Sequence, residues 1–98
     1  MTDHPGVIFK DGSTGRRAAL AYGPDVWEVI KFLREVDERG PAAIDAAAEV
    51  FAVDASRISA AVGYYGDYQE EIDAEIAAAD AASAQAEHAW RVQQQLIA

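Results

Sequence analysis

Few residues of this chain have the types and spacing that chemistry requires. Arg91 follows Trp90 directly in the last segment, so a guanidinium with a rigid donor fork stands beside a large aromatic anchor. A guanidinium suits the geometry of a carboxylate, and the aromatic ring suits an apolar contact. Glu87 lies four residues earlier, and a solvated ion pair within one helix is the simpler interpretation of Arg91.

Signatures of catalysis are lacking in the sequence. His4 and His88 stand in unrelated contexts and have no metal spacing, and the chain contains no cysteine. The segment DGSTG has too few glycines for a phosphate loop, and no lysine follows it. We therefore expect an interaction protein without enzyme activity, cofactor or metal.

Composition narrows the class further. The chain has 98 residues and a formal net charge of −9, which suits one small domain and disfavours non-specific attraction to nucleic acid or anionic membrane. No apolar run approaches the length of a membrane span, and the amino terminus does not have the pattern of a signal peptide. We expect a cytoplasmic protein.

The elements that must position these residues are mainly helical. Residues 6–22 predict a small β-hairpin around DGSTG. Asp25 and Glu28 have the spacing of a capping box, and an amphipathic helix follows up to a stop at Gly40 and Pro41. Its apolar face comprises Val26, Val29, Ile30, Leu33 and Val36.

The next segment predicts two short helices with a helix-turn-helix spacing. Ala52 takes the turn position where glycine is usual, Asp54 caps the second helix, and Ile58 and Ala61 are expected to be buried. The fold class is thus mainly α: a short hairpin, a three-helix domain of winged-helix or helix-turn-helix type, and a long terminal helix. If the domain binds DNA, the candidates are Arg16, Arg17, Ser56, Arg57 and Ser59, although ordinary exposed strand charges are the simpler interpretation of the two neighbouring arginines.

The last helix is the most informative segment. Gly63 and Gly66 predict an end to the preceding helix, and Asp67 with Glu70 repeats the capping-box spacing, so we divide the chain into a domain of residues 1–66 and an arm of residues 67–98. The arm would span about 46 Å at 1.5 Å per residue, against about 28 Å for the domain. It must therefore overhang, and the expected partner-binding residues are Ile76, Trp90, Arg91, Leu96 and Ile97. Trp90 could instead pack on the second arm of a homodimer.

Three linked patterns resemble a known family. They read GSTGRRAAL, GPDVWEVI and AVGYYGDYQEEID, and together they resemble the small VapB-like antitoxins, of unknown-function-domain type, that accompany PIN-like ribonuclease toxins in bacteria. The resemblance implies a dimeric amino-terminal domain that binds operator DNA and a carboxyl-terminal arm that wraps and silences the toxin. Two alternatives remain: a helix-turn-helix repressor whose arm only mediates dimerisation, and a helical adaptor.

Overall fold

A computed structural model describes residues 4–12, 15–21 and 23–98. It is mainly helical, with one short antiparallel hairpin followed by four helices. The elements are β1 (Val7–Gly12), β2 (Gly15–Leu20), α1 (Val26–Glu35), α2 (Pro41–Phe51), α3 (Ala55–Asp67) and α4 (Gln69–Ile97). The mainly helical class and the amino-terminal hairpin are thus confirmed.

The hairpin covers one side of the helices. Its strands pair in register from Val7 opposite Leu20 to Gly12 opposite Gly15, and the turn residues Ser13 and Thr14, together with Tyr22, lie outside the described residues. The second strand ends in a buried run, Ala18, Ala19 and Leu20, which joins the core. β2 therefore holds the hairpin against the helices.

Helix α1 begins where its sequence predicts but ends earlier than predicted: it stops at Glu35, Val36 follows it in an extended conformation with ψ 146°, and Gly40 and Pro41 start α2 instead. The backbone amide of Asp25 donates to Glu28 Oε1 at 3.0 Å, which is one half of the capping box. Val26, Val29 and Ile30 are buried on one face, and Leu33 is half-buried beside them. This face supplies the centre of the core.

The turn between α2 and α3 has the predicted geometry. Ala52 adopts the left-handed conformation, with φ 55° and ψ 45°, and the amide of Val53 donates to the carbonyl of Ala48 at 3.1 Å. Asp54 is the cap residue of α3, and Ile58 and Ala61 are fully buried, as expected. A tight turn at Ala52 thus sets the angle between the two helices.

The predicted helix break at Gly63 and Gly66 is wrong, because α3 continues through both glycines to Asp67. A side-chain carbon added at either glycine would meet nothing within 4 Å, so both sit on the open face of the helix. Buried Tyr64 lies between them on the packed face. Tertiary packing of that face outweighs the propensity cost of about 1 kcal/mol per glycine.

The start of α4 also differs from the prediction. Its cap residue is Tyr68, which makes no side-chain capping bond, so the expected capping box of Asp67 and Glu70 does not form. The amide of Ile72 donates to the carbonyl of Tyr68 at 3.2 Å, and α4 then runs without a break to Ile97. The described chain measures 51 × 31 × 23 Å, which agrees with a helix that overhangs a small domain.

Candidate partner-binding surface

The first turns of α4 are anchored in the core of the domain. Ile72 is fully buried and Ile76 is 5% exposed, both in the cluster that contains Val29 and Ile58. At the junction of α3 and α4, Tyr64 stacks on Tyr68 with ring centroids 4.6 Å apart. This segment therefore belongs to the folded unit.

Polar contacts tie the same segment to its neighbours. The hydroxyl of Tyr64 donates to Glu71 Oε2 at 2.5 Å. Burial, and after it this hydrogen bond, raises the pKa of Tyr64. The hydroxyl of Tyr65 donates to Asp73 Oδ1 at 2.9 Å, and Arg34 pairs with the same carboxylate. Tyrosines of α3 thus bridge the start of α4 to the domain.

The attachment reaches as far as Asp80. Lys31 Nζ lies 2.7 Å from Asp80 Oδ1 and 3.0 Å from Glu35 Oε1. Arg34 lies one turn later on α1 than Lys31 and pairs with Asp73, which lies about two turns before Asp80 on α4. Of these two ion pairs, that of Lys31 and Asp80 lies farther along α4.

Every residue of 81–98 is exposed, so only this part of the predicted arm of residues 67–98 is free of the domain, and from here on the arm means residues 81–98. Its helical part extends about 25 Å at 1.5 Å per residue. The large apolar side chains on it are Trp90 (59% exposed), Val92 (50%), Leu96 (83%) and Ile97 (75%). Four large apolar side chains thus lie exposed within eight positions of one helix, where they can contact a partner.

The four apolar side chains of the arm lie on two different faces of the helix. At 3.6 residues per turn, Trp90 and Ile97 lie within about 60° of the direction of Ile76 around the helix axis. They continue the stripe that packs on α1 in the first half of the helix. Val92 and Leu96 lie roughly 160° away by the same geometry. A groove on a partner protein could therefore bind one of these two faces, and the other face would then need a second contact to cover it.

The predicted partner-binding residues divide into two groups. Trp90, Leu96 and Ile97 lie exposed on the arm, as does Arg91, whose Nη2 lies 2.5 Å from Glu87 Oε1. Ile76 is instead buried in the core of its own domain, so we remove it from the surface. Ile76 and Trp90 lie on the same face of α4. Hydropathy periodicity alone therefore does not show that α1 covers the first and leaves the second exposed.

The residues considered for DNA are dispersed over two elements. On β2, Arg17 Nε donates to Asp25 Oδ2 at 2.6 Å, while the guanidinium of exposed Arg16 lies 4.5 Å from the ring centroid of Phe9. On α3, Ser56 and Ser59 are exposed and Arg57 is half-buried. Arg17 is thus engaged in holding the start of α1, and Arg16 and Arg57 carry the charge available to phosphate.

A groove lies beside the base of the arm, between β2, α1 and α4. Its volume is about 400 Å³, and it is lined by Arg16, Arg17, Trp27, Ala74, Glu75, Ala78 and Ala79. Sequence reasoning missed it because its walls come from three separate elements. The signal present was Trp27, a large aromatic residue at the edge of the apolar face of α1.

One carboxylate in this groove is not compensated. Glu75 Oε2 is buried and has no hydrogen-bond partner among the described residues. Burial raises the pKa of Glu75, the carboxylates of Glu71 and Asp25 raise it further, and Arg17 opposes them. This side chain therefore destabilises the fold when it is ionised.

The described residues contain no group of three or more His, Asp or Glu side chains able to hold a metal ion. His4 Nε2 lies 2.9 Å from Asp67 Oδ2 and packs on Tyr64, whereas His88 is exposed on the arm. The two histidines therefore do not meet.

None of the helices in the described part of the chain combines the length and the apolar character of a membrane span.

The chain matches no protein-family model, no curated protein and no solved structure. Its function must therefore be argued from the geometry of the arm and the groove.

Proposed function

We propose that this protein is an antitoxin of a type II toxin–antitoxin module, which binds and silences a PIN-like ribonuclease in the cytoplasm. It acts by binding and not by catalysis. The single observation that carries the proposal is the exposed arm, a helix that leaves the domain at Asp80 and presents Trp90, Val92, Leu96 and Ile97 to solvent. Helix-in-groove recognition uses a few large anchors on one face of a helix, and Trp90 and Ile97 have the i, i+7 spacing of such anchors.

Arg91 gives the arm a means of inhibition. A PIN-like nuclease holds Mg²⁺ with clustered carboxylates, and a guanidinium can pair with such carboxylates in a bidentate manner. Arg91 lies next to the Trp90 anchor, and its pairing with Glu87 is solvent-exposed on both sides. An exposed pair of this kind is worth only about 0.3–0.5 kcal/mol, so exchange of Glu87 for a nuclease carboxylate costs little.

The acidic surface next to the arm supports a basic partner. Glu70, Glu71, Asp73 and Asp80 lie along α4 before the arm begins. A nuclease that binds RNA carries a basic rim, and opposite charges speed the encounter of the two proteins.

We also propose that residues 1–66 form a helix-turn-helix domain of winged-helix type, with α3 as the recognition helix. The support is the left-handed Ala52 turn between α2 and α3 and the exposure of Ser56 and Ser59 on α3. This geometry also favours the second candidate function, a transcriptional repressor. Salt-dependent binding to an operator by the free chain, with no inhibition of any nuclease, would favour it.

Co-expression with the product of the adjoining reading frame tests the antitoxin proposal. If that product is a PIN-like ribonuclease, the full chain should restore growth and inhibit RNA cleavage at equimolar ratio. Trp90→Ala should weaken the complex by about 2 kcal/mol or more if Trp90 is a hot spot. Val62→Ala on α3 is the control, because Val62 is exposed but lies outside the arm. A nuclease that remains fully active with the intact chain would refute the proposal.

A further inference from the structure

We propose that this chain forms a two-fold symmetric dimer in which two arms cross antiparallel and Trp90 of each copy occupies the groove of the other. The groove residues that receive it are Arg16, Arg17, Trp27 and Ala79. The inference rests on the arm and the groove and does not depend on the antitoxin function.

The order of side-chain sizes along the stripe indicates which residues of the two arms lie opposite each other. The positions that continue the packed face of α4 are Ala79, Ser83, Ala86 and Trp90, with four-three-four spacing. In an antiparallel pair centred between residues 84 and 85, Ala79 lies opposite Trp90, and Ser83 lies opposite Ala86. The large residue thus meets a small one, and the centre is small enough for close approach of the two helices.

This register brings Trp90 to the level of the groove. Ala79 is a wall of the groove, and Trp27 with Ala78 borders it from two elements. An indole entering there would contact the aromatic ring of Trp27 and the guanidinium groups of Arg16 and Arg17, and tryptophan is the best aromatic partner for a cation. The groove volume of about 400 Å³ admits a side chain of this size.

The charge distribution permits two arms to approach. Most acids of the carboxyl-terminal third precede the arm, which itself carries one acid, Glu87, and one base, Arg91. Two arms can therefore pair without the repulsion that a net charge of −9 would otherwise impose. Lys31 already compensates Asp80 at the edge of the contact.

The domain itself limits the length of the contact. Ile72 and Ile76 are covered by their own core, so the pairing runs between the levels of Ala79 and Trp90. Val92 and Leu96, on the opposite face, stay exposed in the dimer. A partner that captured Trp90 would displace the second copy, whereas one that bound only Leu96 would not.

Sedimentation equilibrium on the purified full chain tests the dimer without any partner protein. We expect a monomer–dimer equilibrium, with the dissociation constant raised about tenfold or more by Trp90→Ala. Val92→Ala is the matched control, because Val92 is similarly exposed on the same turn but lies on the other face, and it should leave the constant unchanged. A monomer at all concentrations, or a dimer that Trp90→Ala does not weaken, would overturn the proposal.

Cross-linking tests the direction of the arms, since the chain has no cysteine of its own. The two copies of residue 83 lie about 5 Å apart along the axis in the proposed pair, and the two copies of residue 97 about 37 Å apart. A short bis-maleimide should therefore link Ser83→Cys efficiently and Ile97→Cys not at all. Equal linkage at both positions would indicate parallel arms and overturn the register.

Because these experiments use the chain alone, their failure leaves the antitoxin proposal standing. Conversely, Leu96→Ala should impair inhibition of a nuclease without changing the dimer. The two proposals can thus fail separately.

Discussion

Lys31 of α1 and Asp80 of α4 form an ion pair of 2.7 Å at the point where α4 leaves the domain. Before this pair, α4 buries Ile72 and Ile76, and after it every residue is exposed. The hydrogen bond to Asp80 is the main cause that raises the pKa of Lys31. One helix thus contains both a structural half and a free half, and the pair marks the boundary.

The two halves of α4 should differ in how much stability they lose on the same substitution, Ile→Ala. Ile72→Ala removes a fully buried side chain and should reduce the free energy of unfolding by about 2–5 kcal/mol. Ile97→Ala removes a side chain that is 75% exposed and should change it by about 0.5 kcal/mol or less. Urea denaturation at low protein concentration, followed by circular dichroism, measures both. Similar losses would mean that residues beyond Asp80 also pack on the domain.

Glu75→Gln should stabilise the fold at neutral pH. The pKa of Glu75 is raised above 4.5 in the folded state, mainly by burial, so folding disfavours its ionised form. Stability contributed by the protonated form is complete below the unfolded-state pKa and is lost as the pH rises through the folded-state pKa. We therefore expect a higher unfolding temperature for the variant at pH 7 and a vanishing gain below about pH 4.

Glu70→Gln is the control for this prediction, because Glu70 lies exposed on the same helix. It removes an equal charge without relieving burial. If both variants gained equally, net charge and not the buried carboxylate would be the cause.

Ala52→Gly should stabilise the turn between α2 and α3. Ala52 has φ 55°, a region in which an L-residue with a side chain costs about 1 kcal/mol and glycine costs none. We expect a gain of up to about 1 kcal/mol in the free energy of unfolding, measured by urea denaturation. Ala46→Gly within α2 should instead lose a similar amount by helix propensity. A loss at both positions would place Ala52 outside the left-handed region.

Short sequence patterns correctly predicted those features of the fold that depend on neighbouring residues in the chain. The Asp25–Glu28 capping box located the start of α1, and the position of Ala52 located the turn before α3. Gly63 and Gly66 misled the prediction, because Tyr64 packs in the core and holds the helix through both glycines. Helix propensity is a weak predictor where the packing of a buried helix face determines whether the helix continues.

The candidate partner-binding surface was predictable only in part, for a related reason. The periodicity of α4 placed Ile76 and Trp90 on one face but did not show that α1 covers the first and not the second. The groove depends on β2, α1 and α4 meeting at Trp27, which is a long-range relationship. The groove could therefore not be predicted from the sequence of any single segment.

Inhibition of the nuclease proposed as its partner, by residues 1–80 compared with the full chain, tests the central claim most directly. Because residues 81–98 lie exposed beyond Asp80, the truncated protein should keep its far-ultraviolet circular dichroism per helical residue and lose about 1 kcal/mol of stability or less. We predict that the full chain inhibits RNA cleavage at equimolar ratio and that residues 1–80 do not inhibit it. Equal inhibition by a folded 1–80 fragment would contradict the account, because the arm would then have no part in binding.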